Sequence, residues 1–140
     1  MKGVPPMPAP PGSRKILIVD DETTVADTLE LIFATRGYEV RTANSAEEAI
    51  ELLAQWRPDL AILDVMLPQM NGIELGIALK ANYPDSRVLL LSGHPSAGDL
   101  LGVAKEQGHS FDILAKPVHP SFILDTVSAM LPASNGPAEA

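Results

Sequence analysis

The sequence predicts an α/β fold in which one parallel sheet of five strands is covered by helices on both faces. Five short apolar segments alternate with five segments whose apolar residues recur at helical spacing, which is the pattern of consecutive strand and helix units. Four of the strands are largely apolar, as expected for strands buried on both faces. The other, residues 38–43, alternates apolar and polar residues, which places it at an edge of the sheet.

The predicted elements follow one another in a regular order. Residues 15–19 form the first strand, and the later strands are residues 38–43, 60–63, 88–91 and 111–115. The first two helices place apolar residues on one face: Val25, Leu29, Ile32 and Phe33, and then Ala46, Ala49, Ile50 and Leu53. The remaining helices are residues 72–83, 97–107 and 119–131. Five such units in succession predict the flavodoxin-like strand order 2-1-3-4-5.

Turn and capping residues mark the ends of these elements. Gly37 is expected in a left-handed conformation after the first helix, because that conformation suits glycine at a helix C-terminus. Ser45 and Glu48 have the spacing of a capping box for the second helix. Pro58, Pro84 and Pro132 cannot continue a helix, so each predicts the end of the helix before it.

The composition fits one globular domain, with 140 residues, 46% hydrophobic and 20% charged. No apolar run exceeds four residues, whereas a membrane-spanning helix needs about 20. Prolines stand where a signal peptide would have its apolar segment, so we expect a cytoplasmic protein without membrane contact. The absence of cysteine excludes disulfides and thiolate sites. A formal charge of -8 disfavours direct nucleic-acid binding, which requires a basic surface.

The domain itself is predicted to span residues 14–131. Residues 1–13 contain five prolines and almost no apolar residue that could anchor them to a core, so we expect a disordered, polyproline-like arm. Residues 132–140 are expected to form a disordered tail.

Polar residues follow four of the predicted strands at the point where each strand ends. Asp20 and Asp21 follow the first strand, Asp64 the third, Ser92 the fourth and Lys116 the fifth. The carboxyl ends of parallel strands meet at one edge of a sheet, where open α/β proteins have their sites. Each residue alone has an ordinary explanation as a cap, a turn former or a solvated charge. Together they predict a functional site.

The charges of this predicted site require a cation. Carboxylates repel one another by about 4 kcal/mol per pair at ~4 Å in a surface-like dielectric. Lys116 can balance part of this charge, and a hard divalent ion such as Mg²⁺, which prefers oxygen ligands and retains several waters, can balance the rest. Gly93, next to Ser92, leaves room for an incoming group.

With these motifs, residues 15–131 resemble the receiver domains of response regulators in bacterial two-component signalling. The resemblance rests on four motifs in the correct order: Val19-Asp20-Asp21, residues 63–72 with the sequence Leu-Asp-Val-Met-Leu-Pro-Gln-Met-Asn-Gly, Ser92-Gly93, and Lys116-Pro117. It implies that Asp64 takes a phosphoryl group from a phosphohistidine. The donor would be a histidine kinase or a histidine phosphotransfer protein.

The same resemblance implies a metal site and a role for each neighbouring residue. Asp21, Asp64 and the backbone carbonyl of Met66 would bind Mg²⁺ directly, and Asp20 would act largely through water. In the phosphorylated protein Lys116 would pair with one phosphoryl oxygen, and Ser92 would donate a hydrogen bond to another.

The resemblance further implies a signalling domain rather than an enzyme, one that catalyses only its own phosphotransfer and a slow autodephosphorylation. No DNA-binding or catalytic segment follows Leu131 in this sequence, so we expect the signal to pass to a separate output protein.

Three residues are expected to modulate the signal. Met66 and His94 flank the approach of water to the phosphoryl group, and the apolar Met66 should shield it without orienting a water. Ile113 stands where the family usually has an aromatic residue, three positions before the lysine, so the activation switch is expected to differ from the usual one. Phe111 is predicted on the same face as Ile113.

Three other functions are compatible with parts of this sequence. A flavin-binding protein of the same architecture is disfavoured because residues 20–22, Asp-Asp-Glu, would repel the flavin phosphate; a colourless protein would exclude it. A Mg²⁺-dependent aspartyl-phosphate hydrolase lacks a second carboxylate just after Asp64, and turnover of small phosphate esters would revive it. A degenerate receiver that serves only as a docking module is disfavoured by the complete set of acids, hydroxyl and lysine.

Overall fold

The structure of the chain, a computed structural model, describes residues 13–68, 70–93, 111–116 and 119–131. These residues form five strands: β1 (Lys15–Val19), β2 (Glu39–Ala43), β3 (Leu60–Asp64), β4 (Arg87–Ser92) and β5 (Asp112–Ala115). They also form four helices: α1 (Thr23–Ala34), α2 (Ala46–Leu53), α3 (Gly72–Asn82) and α4 (Pro120–Met130). The predicted helix over residues 97–107, the predicted arm up to residue 12 and the predicted tail lie outside the described residues.

The five strands form one parallel sheet in the order β2-β1-β3-β4-β5, which confirms the predicted fold class and topology. β3 is buried along its whole length, whereas β2 contains half-buried and exposed residues. The reason is position: β3 has neighbours on both sides and β2 has one. The half-polar pattern of β2 therefore predicted its place at the edge correctly.

Two apolar cores lie on opposite faces of this sheet. The first contains Leu17, Leu63 and Leu90 from the sheet and packs against residues of α2 and α3. The second contains residues of the opposite strand faces and packs against α1 and α4, through Phe33 and Val127 among others. Strand side chains alternate between faces, so each central strand supplies both cores. None of the helices in the described ranges is both long and apolar enough to cross a membrane.

The capping predictions hold in most details. Gly37 has φ of +92°, the left-handed conformation that follows α1. The Ser45 side chain accepts a hydrogen bond from the Glu48 amide, but the Glu48 carboxylate accepts from the Asn44 amide rather than from Ser45. A complete capping box, which the sequence analysis missed, is formed by Asn71 and Glu74 at the start of α3.

One predicted core residue is wrong. Ile50 was expected to point inward from α2, but 46% of it is exposed, while Ala46 and Ala49 are buried. The buried face of this short helix consists of its two alanines, so it is narrower than the apolar pattern indicated. The wider apolar stripe remains partly on the surface, between α2 and α3.

Candidate functional site

Asp20 is held at the carboxyl end of β1 by hydrogen bonds with the end of β2 and with its own loop. Its amide donates to the Ala43 carbonyl over 3.1 Å, and its own carbonyl accepts from the Asn44 side chain over 3.0 Å. Its Oδ1 accepts from the Glu22 amide over 2.9 Å. Only 1% of the residue is exposed. The backbone therefore fixes a buried carboxylate, with Oδ2 directed at the neighbouring strand ends.

Asp64 lies at the carboxyl end of β3 and is 5% exposed. Its Oδ1 accepts a hydrogen bond from the Met66 amide over 3.2 Å. The following residue, Val65, donates its amide to the Leu91 carbonyl of β4, which extends the ladder one residue past the strand. The Asp64 carboxylate is thus positioned by both its own loop and the neighbouring strand.

Lys116 brings these carboxylates together. Its Nζ lies 3.1 Å from Asp20 Oδ2, 3.3 Å from Asp64 Oδ2 and 3.7 Å from Glu22 Oε1. The Lys116 amide donates to the Ser92 carbonyl over 2.8 Å, so β4 fixes the start of this side chain. The sequence predicted that Lys116 meets Asp20 and Asp64. It did not predict the contact with Glu22, which depends on how the lysine side chain crosses the edge of the sheet.

Burial and neighbouring charges shift the pKa values of two residues in this cluster. Burial raises the pKa of Asp64, and the negative charge of Asp20 raises it further, against the opposing effects of Lys116 and the Met66 amide. Burial alone would lower the pKa of Lys116, but hydrogen bonds and charge from Asp20 and Asp64 outweigh it, and the net pKa is raised. One ammonium thus faces the two buried carboxylates of Asp20 and Asp64, and negative charge remains at the site.

The remaining charge fits a hard cation. Carboxylate oxygens of Asp20, Asp21 and Asp64 lie within 4.8 Å of one another, with Asp21 exposed and the other two buried. All three donors are anionic oxygens, the ligands that Mg²⁺ prefers. The exposed Asp21 gives an ion access from solvent. The acid cluster thus fits a divalent cation, and the direct ligation by the Met66 carbonyl stays a prediction.

Ser92 and Gly93 lie beside this cluster at the end of β4. Ser92 is 7% exposed and pairs in register with Ala115 of β5, one residue before the lysine. A Cβ atom added at Gly93 would meet Lys116 Cβ at 3.5 Å, which is an ordinary contact. The space at Gly93 is thus bounded by the lysine stem, and an alanine would fit there.

The three predicted modulating residues have different positions. Met66 is 46% exposed and follows Asp64 closely in the loop after β3. Ile113 is half-buried in β5 and, with Phe111, packs against the first core, so the prediction that these two share a face is confirmed. His94 and Pro117 lie outside the described residues.

Gly72 is a site residue whose importance the sequence analysis did not recognise. Its amide donates to the Val65 carbonyl over 2.9 Å, and a Cβ atom built on it would lie 2.2 Å from the Asp64 carbonyl oxygen. The first turn of α3 therefore packs directly on the backbone that carries Asp64. From the sequence, Gly72 was identified only as the end of the second motif and the start of a helix, because a sequence does not show which backbone lies opposite a glycine.

Comparison with known proteins agrees with this architecture. Residues 16–128 match the family model described as the response regulator receiver domain. Response regulator MprA of Mycobacterium leprae is 34% identical over 117 residues, which are 84% of this chain and 50% of that protein. The chain thus spans about half the length of the curated relatives it matches.

Solved structures give the same result. A CheY-like response regulator receiver domain protein from Methanospirillum hungatei is similar with a TM-score of 0.76 and 29% identity, covering 84% of this chain and 93% of that one. The chemotaxis response regulator CheY4 of Vibrio cholerae has a TM-score of 0.74 and 28% identity, with 85% and 99% covered. The five-stranded order and the family match together establish that this chain belongs to the response regulator receiver domains.

Proposed function

We propose that the chain is a phosphoacceptor receiver domain in which Asp64 takes a phosphoryl group from a phosphohistidine. The donor is a histidine kinase or a histidine phosphotransfer protein, and the phosphorylated chain acts on a separate output protein. The observation that carries the proposal is the Lys116 ammonium, 3.3 Å from Asp64 Oδ2 and 3.1 Å from Asp20 Oδ2. A buried acceptor carboxylate with a fixed cation beside it suits transfer of an anionic group.

In the proposed reaction a carboxylate oxygen of Asp64 attacks the phosphorus atom of the phosphoimidazole. The new O–P bond forms an acyl phosphate, the P–N bond breaks with its electron pair going to the imidazole nitrogen, and that nitrogen takes up a proton. Lys116, already at hydrogen-bond distance from Asp64, balances charge on a phosphoryl oxygen, and the Ser92 hydroxyl donates to another. The product is an acyl phosphate on Asp64, which places a negatively charged phosphoryl group at the carboxyl edge of the sheet.

Asp20, Asp21 and Asp64 would hold Mg²⁺, together with the Met66 carbonyl. Bound there, the ion supplies positive charge that lowers the repulsion between an incoming phosphoryl group and the three carboxylates. The carboxylate oxygens within 4.8 Å of one another support this assignment.

Asp21→Ala is expected to weaken Mg²⁺ binding by at least about tenfold, because it removes a direct ligand, and even the loss of an outer partner commonly has an effect of that size. Isothermal titration calorimetry of the unphosphorylated protein measures the change. Asp27→Ala, which removes an exposed carboxylate of α1, is the matched control and should leave the affinity unaltered. Equal affinities for the two variants would remove Asp21 from the metal site.

The proposed function is tested by intact-mass measurement of the full chain with Mg²⁺ and acetyl phosphate or a phosphohistidine protein. We expect a gain of one phosphoryl group that hydroxylamine removes, since hydroxylamine cleaves acyl phosphates, and fragment masses that place the group on Asp64. A mass that never changes with either donor would favour a receiver that only docks. Continuous release of phosphate from small esters would favour the hydrolase.

Met66→Asn is expected to shorten the lifetime of the acyl phosphate by up to about 10²-fold, the lower end of what a positioned acid or base contributes. Met66 is half-exposed beside the acceptor, and its thioether cannot orient a water, whereas an amide can. Decay of the phosphorylated species, followed by intact mass, gives the lifetime.

His94→Ala is the comparison for this experiment, and its effect on the lifetime should be smaller. A lifetime for Met66→Asn equal to or longer than that of the unaltered chain would contradict the shielding role of Met66.

A further inference from the structure

Helices α2 and α3 leave an apolar groove between them, on the side of the molecule that carries the first core. The groove encloses about 410 Å³, and its walls include Ile50, Leu53, Ala54, Ala78, Asn82 and Tyr83. Ile50, which had been expected in the core, is 46% exposed on its rim. The side chains of Ala54 and Ala78 on its walls are too small to fill the space between the helices. We refer to this feature as the α2–α3 groove.

The N-terminal segment enters the sheet close to one end of this groove. The Lys15 amide donates to Asp59 Oδ2 over 2.8 Å, and the Asp59 amide donates to the Lys15 carbonyl over 2.8 Å. Arg14 Nη1 lies 3.9 Å from Asp59 Oδ1. The chain therefore arrives at the amino edge of the sheet, beside the loop that precedes β3.

A short series of hydrogen bonds joins this entry point to the groove wall. Ser86 Oγ donates to the Pro58 carbonyl over 2.6 Å, next to Asp59 in the sequence, and the Ser86 amide donates to the Tyr83 carbonyl over 3.0 Å. The Tyr83 hydroxyl then donates to the Leu53 carbonyl over 2.7 Å, linking α3 to α2. Tyr83 lines the groove, so the groove wall and the entry of the chain lie at the same edge of the sheet.

We propose that the α2–α3 groove is the docking surface for residues 1–12 of this same chain. These residues contain Pro5, Pro6, Pro8, Pro10 and Pro11. In a polyproline II conformation, twelve residues extend about 37 Å at 3.1 Å per residue, which is enough to reach the groove and lie along it. Such a segment loses little entropy on binding and packs well on an apolar groove with an aromatic side chain, here Tyr83.

Charge and tethering favour the same occupant. Lys2 is the only charged residue among residues 1–12, and Glu47 and Glu51 are exposed on α2 beside Ile50. A segment tethered this closely has an effective concentration in the millimolar range, so weak contacts are sufficient for docking.

A second cavity among the described residues does not suit the segment. It encloses about 550 Å³ between α1 and α4, and Gly93 and Lys116 are part of its lining. It therefore opens at the carboxyl edge of the sheet, the opposite edge from Arg14 and Lys15. Chain leaving the amino edge would have to cross the whole sheet to enter it.

The test uses a nitroxide label on the full chain, which has no cysteine of its own. In Pro8→Cys carrying the label, we expect the amide signals of Ile50, Ala54 and Ala78 to lose most of their intensity through paramagnetic broadening. The same label on Pro8→Cys/Ile50→Lys should leave Ala54 and Ala78 sharp, because a charge on the rim removes the apolar contact. Leu31→Lys, at a 62% exposed leucine of α1, is the matched control and should retain the broadening.

A mixed sample distinguishes docking within one molecule from docking between two copies. It contains nitroxide-labelled chain of natural isotope content and ¹⁵N-enriched chain without nitroxide, so any broadening observed in it must arise between molecules. Broadening that appears only within the labelled molecule supports the proposal. Broadening of the enriched chain in the mixture means that a second copy occupies the groove, and sharp signals in every sample mean that the segment does not dock. Either of these two results overturns the proposal.

Discussion

The Asp64→Asn variant is expected to take up no phosphoryl group from acetyl phosphate and, without Mg²⁺, to be more stable than the unaltered chain. The amide keeps the volume of the side chain but lacks the carboxylate nucleophile, so the acyl phosphate cannot form. Intact mass with Mg²⁺ and acetyl phosphate measures the first effect. Labelling of this variant at the unaltered rate would falsify the assignment of Asp64 as the acceptor.

The gain in stability follows from the charge balance of the cluster. Asp64 and Asp20 are 5% and 1% exposed, and both carboxylates form ion pairs with the same ammonium group of Lys116. Removing one buried carboxylate leaves Lys116 paired with Asp20 and eliminates the repulsion between the two acids. We expect the free energy of unfolding in urea to rise, because the neutral amide carries neither the desolvation penalty of the buried carboxylate nor its repulsion from Asp20.

The pH dependence of this gain has a definite sign. Burial and Asp20 raise the pKa of Asp64 in the folded chain, so the ionised carboxylate penalises the folded state above that pKa. As the pH falls through the pKa of Asp64 in the folded chain, the folded chain takes up the proton before the unfolded chain does. The cost of keeping an ionised carboxylate buried then disappears. The stability difference between Asp64→Asn and the unaltered chain should therefore be largest at neutral pH and shrink in acid.

Asp59→Asn is the matched control for both measurements. Asp59 lies at the other edge of the sheet, where its carboxylate accepts from the Lys15 amide and faces Arg14. Here the carboxylate has favourable partners and no acidic neighbour among them. The substitution should leave phosphoryl uptake intact and should not raise the free energy of unfolding. A gain equal to that of Asp64→Asn would show that the effect is not specific to the site.

Sequence reasoning found the strand ends because their signal is local. An apolar run that ends in Asp20 or Asp64 marks both a buried strand and the residue that it delivers to the edge of the sheet. The edge position of β2 was also accessible from its half-polar pattern, whereas the place of β5 at the other edge followed from the regular succession of the five units. Four motifs in order then specified the family. These features depend on residue types and spacing, which a sequence states directly.

What the sequence could not supply are distances between side chains on different elements. Glu22 reaches Lys116 because the lysine crosses from β5 towards the start of α1. Ile50 is on the surface because Ala46 and Ala49 form the buried face of α2. Neither relation follows from helical or strand periodicity, which identifies faces but not how closely two elements approach. The same limitation concealed the role of Gly72.

Gly72→Ala is expected to lower the free energy of unfolding by about 2–3 kcal/mol, the usual effect of overpacking a tight site, and to slow phosphoryl uptake. The new Cβ would lie 2.2 Å from the Asp64 carbonyl oxygen and 2.8 Å from the carbonyl carbon, which are backbone atoms and cannot rotate away. The end of β3 cannot shift easily either, because the Val65 amide donates a hydrogen bond to the Leu91 carbonyl of β4. Relief of the overlap must therefore move α3 or the acceptor itself.

Gly93→Ala provides the comparison, since its Cβ would meet Lys116 only at 3.5 Å, and its stability should change by no more than about 0.5 kcal/mol. Urea denaturation measures both variants, and intact mass with acetyl phosphate measures their rates of labelling. If the two alanine variants unfold at the same urea concentration and are labelled equally fast, then α3 does not constrain the acceptor. If Gly72→Ala alone loses stability and rate, the close approach of α3 to the Asp64 carbonyl holds the acceptor in position.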